Sequence, residues 1–118
     1  MWISLDAVLV DNQKIGLTSF FFGHQISAHI NPGKNTRTHT NIIDNDNIPT
    51  RHFGLAVPWK EWHKLVEKFK AKKIQFLIEP RIRFKGNVGE LATLFILDPS
   101  GNAIEFKSFK DEKILFKH

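Results

Sequence analysis

Two histidines and a glutamate occupy positions that strand alternation would turn to one side of a sheet, since successive strand residues point to opposite faces. In "HFGLAV", residues 52–57, Phe53, Leu55 and Val57 form an apolar set and leave His52, Gly54 and Ala56 opposite. In "AIEFKSF", residues 103–109, Ile104 and Phe106 are apolar and leave Glu105 and Lys107 opposite. In "GHQISAHI", residues 23–30, Ile26, Ala28 and Ile30 leave Gln25, Ser27 and His29 opposite. Two imidazoles and one carboxylate are ligands for a divalent first-row metal (iron, zinc, nickel or manganese), and with iron they form the non-haem pattern. Each residue singly also has a plainer reading. A strand histidine is commonly hydrogen-bonded or at the surface, and a strand glutamate is commonly solvated. His29, His52 and Glu105 are far apart in sequence, so only the fold can bring them together.

The elements that must do so are legible in part. The first thirty residues read as strands: "WISLDAVLV", then "KIGLTSFFF" after the turn signal "DNQ", then "GHQISAHI" entered through Gly23. Residues 31–51, "NPGKNTRTHTNIIDNDNIPTR", are polar, turn-rich and without periodicity, which predicts a long linking loop. "HFGLAV" is a short strand. "PWKEWHKLVEKFKAKK" carries Trp62, Leu65, Val66 and Phe69 at i, i+3, i+4 and i+7, the stripe of an amphipathic helix, and Pro58 suits its start. "IQFLIEP" predicts a strand stopped by Pro80, "RIRFKGNVGE" a strand edge and glycine-bearing loop, "LATLFIL" a strand and "DPSGN" a tight turn into the last strand. The order strand, helix, strand, strand, strand predicts an α+β module with the helix on one face of a mostly antiparallel sheet.

Composition bounds the rest. The 118 residues allow one domain with a hydrophobic core. There is no cysteine, which excludes a disulfide framework, a thiolate metal site and a cysteine nucleophile. The net charge is +5, from 17 Lys+Arg against 12 Asp+Glu. The excess is interleaved with Glu61, Glu67, Asp111 and Glu112 and reads as a solvated face, so no nucleic-acid partner is expected. A preference for an anionic small molecule stays open. "MWISLDAVLV" lacks a basic leader and no apolar run is long enough for a bilayer, so the expected place is the cytoplasm, with no membrane partner. No nucleophilic serine motif, phosphate-cradling loop or dinucleotide fingerprint is present.

From about residue 18 to residue 116 the chain resembles the glyoxalase/bleomycin-resistance/extradiol-dioxygenase proteins, the vicinal oxygen chelate superfamily. "TLFILDPSGNAIEF" is the most specific element, supported by "HFGLAV", "WKEWHKLVEKFKAKKIQFLIEP" and, upstream, "FFFGHQISAHINP", which is similar to one uncharacterised, dioxygenase-like branch. The resemblance implies paired βαβββ modules forming a cupped sheet around a divalent metal: a shortened first module over 1–30, the linking loop over 31–51 and a complete module over 52–118. It matches His52 and Glu105 to metal ligands and puts a further ligand on "HQISAHI". There the face argument favours His29, with His24 as the alternative because a bulge at Gly23 would shift the register by one. Family members usually open with another ligand-bearing strand and a helix. This chain has only about twenty residues ahead of "FFFGHQ", so the resemblance implies that these parts are lacking. Pairing with a second chain, as a homodimer, would cover the edge left open.

The implied function is a metal-dependent lyase, isomerase or dioxygenase acting on a small oxygen-chelating substrate, with the metal polarising a substrate oxygen and Glu105 as the catalytic residue. The alternative is a non-catalytic member of the same fold that sequesters a small molecule, or a degenerate one. Arg83, with Arg81, is placed to steer an anionic substrate or else is a solvated surface arginine. Phe95 and Leu97, on the side of Thr93, line the cup or pack against a strand. His63 lies off the apolar helix stripe, His39 in the loop and His118 at the terminus, and none is a strong ligand candidate.

Overall fold

A computed structural model describes the backbone of residues 9–11, 16–21, 24–29, 39–43 and 46–116, with side chains for 39–42 and 46–114. The chain divides into two compact units, Met1–Asn35 and Thr36–His118.

In the first unit β1 (Leu9–Asp11), β2 (Gly16–Phe21) and β3 (His24–His29) form an antiparallel sheet in chain order. Phe21 lies opposite His24 and Gly16 opposite His29. The expected strands of the first thirty residues are found over these spans, and the remainder of them lies outside the described residues.

In the second unit β4 (Thr40–Ile43) pairs with β5 (Asp46–Pro49) as a hairpin, within the stretch that the sequence predicts to be a loop. Strands of four residues are too short to display a period, and polar side chains do not prevent backbone pairing. The hairpin is tied to the main sheet by an ion pair between Asp46 and Arg81. That sheet has the order β6 (His52–Ala56), β9 (Ala103–Phe109), β8 (Leu91–Leu97), β7 (Phe76–Arg83), with β6 parallel to β9 and the other pairs antiparallel. A short 3-10 helix, Glu112–Phe116, follows β9. This is the α+β arrangement that the element order predicts.

Pro80 does not stop its strand. β7 continues through it to Arg83, with register irregularities between Phe76 and Arg81. Among the described residues β7 is an edge strand, so a residue without an N–H at a bulge removes no ladder bond from a neighbour.

Helix α1 (Trp59–Ala71) begins after Pro58, whose carbonyl accepts the first helical bond from the Trp62 N–H at 2.9 Å. It buries the four expected residues Trp62, Leu65, Val66 and Phe69 against one face of the sheet. The Phe69 ring meets Phe106 edge to face at 5.5 Å. The Trp62 indole N–H donates to the Phe106 carbonyl at 2.9 Å, which satisfies its one polar atom inside the core. Leu55, Leu94, Ile96 and Phe106 complete that core. Burial of each such side chain contributes about 1.5–3 kcal/mol. Phe53 departs from its expected place: it is 44% exposed, because β6 has no strand on its outer side among the described residues to cover it. No helix among the described residues is long and apolar enough to cross a membrane.

Two features of this unit generate tests. A Cβ at Gly54 would overlap the carbonyl oxygen of Glu105 and lie 2.9 Å from its Cβ, so the β6–β9 pairing requires glycine there. Gly54→Ala is expected to cost on the order of 2–3 kcal/mol, the upper part of the overpacking range, measured by urea unfolding; an unchanged midpoint would mean that β6 sits farther from β9. The second is Glu90, buried at the start of the β7–β8 connection's exit, where its Oε2 accepts from Lys110 Nζ at 3.1 Å and the Gly86 N–H at 3.2 Å. The Lys110 hydrogen bond, above all, holds its carboxyl below the ordinary value of 4.5. A lowered folded pKa gives stability that is fully present above the unfolded value and lost as the pH falls through the folded one. Wild type should therefore exceed Glu90→Gln in stability at about pH 7, with the gap closing as the pH falls below the ordinary value of 4.5. A gap that does not change with pH would remove the charge from the account.

Candidate metal-binding face of the sheet

The face of the sheet away from α1 carries the polar cluster. Alternation along β9 sends Phe106 toward the helix and Glu105 to the other side, and the register sets Glu105 opposite Phe95 of β8 and Gly54 of β6. The turn before β9 fixes that register. Asp98 Oδ1 accepts the backbone N–H of Ser100 at 2.9 Å and of Asn102 at 2.8 Å, while Asn102 Nδ2 donates to Asp98 Oδ2 at 2.7 Å. Gly101 takes a φ of 85°, the left-handed region that side chains disfavour. The "DPSGN" segment is thus a self-bonded turn that delivers Glu105 to its place.

Glu105 is mostly buried, and its two oxygens have different surroundings. Oε1 accepts the Thr93 hydroxyl at 2.8 Å and lies 3.4 Å from Lys107 Nζ. Oε2 lies 3.6 Å from His52 Nε2, too far for a hydrogen bond. The other ring nitrogen of His52, Nδ1, is 2.8 Å from the Pro49 carbonyl. A carbonyl only accepts, so Nδ1 carries a proton, and in the neutral imidazole Nε2 then turns a lone pair toward Glu105. Phe95, 3% exposed, packs edge to face against the His52 ring at 5.2 Å and fixes its plane.

This arrangement fits two donors of one cation. Ligand atoms bound at about 2.1 Å each stand roughly 3.0–3.5 Å apart around a metal, close to the observed gap. The Nδ1–H bond to a carbonyl is the outer-shell contact that orients metal-ligating histidines. Among the described residues no group of three His, Asp or Glu side chains converges. His29 and the alternative His24 lie on β3 of the first unit, and their side chains are outside the described residues.

The other expected residues are distributed as follows. Phe95 joins His52 and Glu105. Arg83 lies opposite Leu91, which itself faces Phe109, four residues and about 13 Å along β9 from Glu105. Its guanidinium is over the Phe84 ring at 5.4 Å. Arg81 is engaged by Asp46. His63 is exposed on α1, with its ring 5.1 Å from each of Trp59 and Trp62. His39 is exposed, and its carbonyl accepts from the Thr50 N–H and hydroxyl. His118 is outside the described residues. Three contributors escape a reading of the sequence: the Pro49 carbonyl, the Thr93 hydroxyl and the Lys107 ammonium. Alternation does place Lys107 on the face of Glu105, but its contact and that of Thr93 depend on side-chain paths that alternation does not give.

No protein-family model matches the sequence. No curated protein matches it either. Solved structures do. A glyoxalase/bleomycin resistance protein/dioxygenase from Alicyclobacillus acidocaldarius is similar with a TM-score of 0.73 and 27% identity, over 95% of this chain and 80% of that one. The fosfomycin resistance protein FosX from Listeria monocytogenes aligns with a TM-score of 0.61 and 14% identity, over 92% of this chain and 78% of FosX. A FosX variant complexed with Mn(II) and 1S,2S-dihydroxypropylphosphonic acid aligns with a TM-score of 0.61 and 15% identity, over 96% of this chain and 81% of the other. At these identities the FosX likeness is one of fold. The resemblance carried by "TLFILDPSGNAIEF" is borne out: the structural neighbours are proteins of the vicinal oxygen chelate superfamily, and this chain shares their glyoxalase-like α+β fold.

Proposed function

We propose that the chain is a metal-dependent enzyme acting on a small oxygen-chelating substrate, with a divalent cation held by His52 Nε2 and Glu105 Oε2; the resemblance adds a third ligand, His29 or else His24. The observation that carries this reading is the pairing of a tautomer-fixed His52 Nε2 with Glu105 Oε2 at 3.6 Å on an otherwise well-packed sheet. The superfamily neighbours support it, one of them a FosX variant bound to Mn(II).

A divalent metal at this place would supply Lewis acidity to a substrate oxygen. The chain's own residues do the rest. Pro49 holds the His52 proton on Nδ1, so that Nε2 stays available. Thr93 holds Glu105 through Oε1 and leaves Oε2 directed at His52. Phe95 excludes water from the flank of the imidazole. Lyase, isomerase and dioxygenase chemistry all begin from this arrangement, and Arg83 is within the reach of an extended anionic substrate.

Elemental analysis of the purified protein tests the reading. About one divalent ion per chain is expected, lost in both His52→Ala and Glu105→Ala; the third-ligand assignment follows from whether His29→Ala or His24→Ala loses it too. No metal as purified, and no uptake of nickel, zinc, manganese or iron, would overturn the enzyme reading in favour of a small-molecule-binding member of the fold. Thr93→Val, which removes the hydroxyl and keeps the shape, is expected to weaken metal affinity about 10–100-fold, the range for outer-shell contacts. Unchanged affinity would show that Thr93 only packs.

A further inference from the structure

The charges beside Glu105 cancel before any cation arrives. Lys107 Nζ lies 3.4 Å from Glu105 Oε1, with a side chain 38% exposed against 13% for the carboxylate. His52 as a ligand is the neutral imidazole. Arg81, whose register opposite Thr93 puts it on the same face, is taken up by Asp46. The Glu105–Lys107 pair therefore sums to zero. A divalent ion would leave an excess of two positive charges, and the described residues offer no second carboxylate at Glu105 to offset it.

Lys107 is built to respond. Its backbone is fixed: it lies opposite Thr93 and Ala56, and its carbonyl accepts the Val57 N–H at 2.9 Å. Its four-carbon stem nevertheless lets the ammonium move several ångströms without any change in the sheet. A metal on Oε2 and an ammonium on Oε1 of one carboxylate repel across a mostly buried group, where solvent screens weakly.

Resting on the metal reading above, we propose that Lys107 changes partner as the site fills: the divalent cation takes the Glu105 carboxylate, and the released ammonium binds an anionic group of the substrate. The substrate class is then a small acid carrying a carboxylate or phosphonate beside its chelating oxygens. Cation and anion bind with positive coupling, each raising the affinity of the other by the same factor.

Titration of the full chain with Mn(II), following the free-ion signal by electron paramagnetic resonance, with methylphosphonate or an equal ionic strength of chloride, tests this. In wild type, methylphosphonate should raise the Mn(II) affinity on the order of tenfold, within the usual span of coupling. Lys107→Met should bind Mn(II) more tightly than wild type in chloride and lose most of the methylphosphonate effect. Lys107→Arg, which keeps the charge, should retain the coupling and guards against a misfolded methionine variant. Equal Mn(II) affinity in wild type and Lys107→Met, with the same methylphosphonate effect in both, would overturn the role of Lys107 and leave the metal site standing. Absence of Mn(II) binding from every protein under both conditions would bring down the metal reading and this inference together.

Discussion

The parallel contact between β6 and β9 is the constraint on which the candidate site depends. These strands are separated in sequence by the helix and two further strands, yet they carry the two candidate donors, His52 and Glu105. They can lie so close at that level only because position 54 has no Cβ to meet the Glu105 backbone. The close approach does two things at once. It sets Nε2 and Oε2 at a spacing that one cation can bridge, and it makes Glu105 mostly buried, so that what the carboxylate touches matters energetically.

Strand β9 serves both faces of the sheet. Phe106 anchors the helix through its ring and through its carbonyl, which takes the Trp62 indole proton. One residue earlier, Glu105 is held by a hydroxyl from β8. A shift of β9 by one residue would exchange the two and bury a carboxylate against Phe69, at a cost far above that of a lost contact. The register is therefore defended from both sides, by the apolar core and by the Asp98-centred turn that precedes the strand. The polar face inherits its precision from the core behind it.

Short-range patterning accounts for what is legible in the order of residues. The helix stripe at Trp62, Leu65, Val66 and Phe69 follows from a period near 3.6, and the "DPSGN" turn follows from side chains that bond their own backbone. Alternation put His52 and Glu105 on one face because each strand is sorted by its own apolar residues. The β4–β5 hairpin and the passage of β7 through Pro80 were not legible. The hairpin strands are too short for a period, and a proline is tolerated or not according to whether its strand is an edge, which is a property of the sheet.

Tertiary structure alone decided how the site is held. Nothing local says that Pro49 presents a carbonyl to His52, that Thr93 reaches Glu105 across the β8–β9 ladder, or that Asp46 takes Arg81. Those contacts join residues whose meeting depends on strand order and register, and hydrogen-bond distances resolve differences far finer than alternation does. The sequence chose the side of the sheet for His52 and Glu105; the folded chain chose which atom of each faces the other.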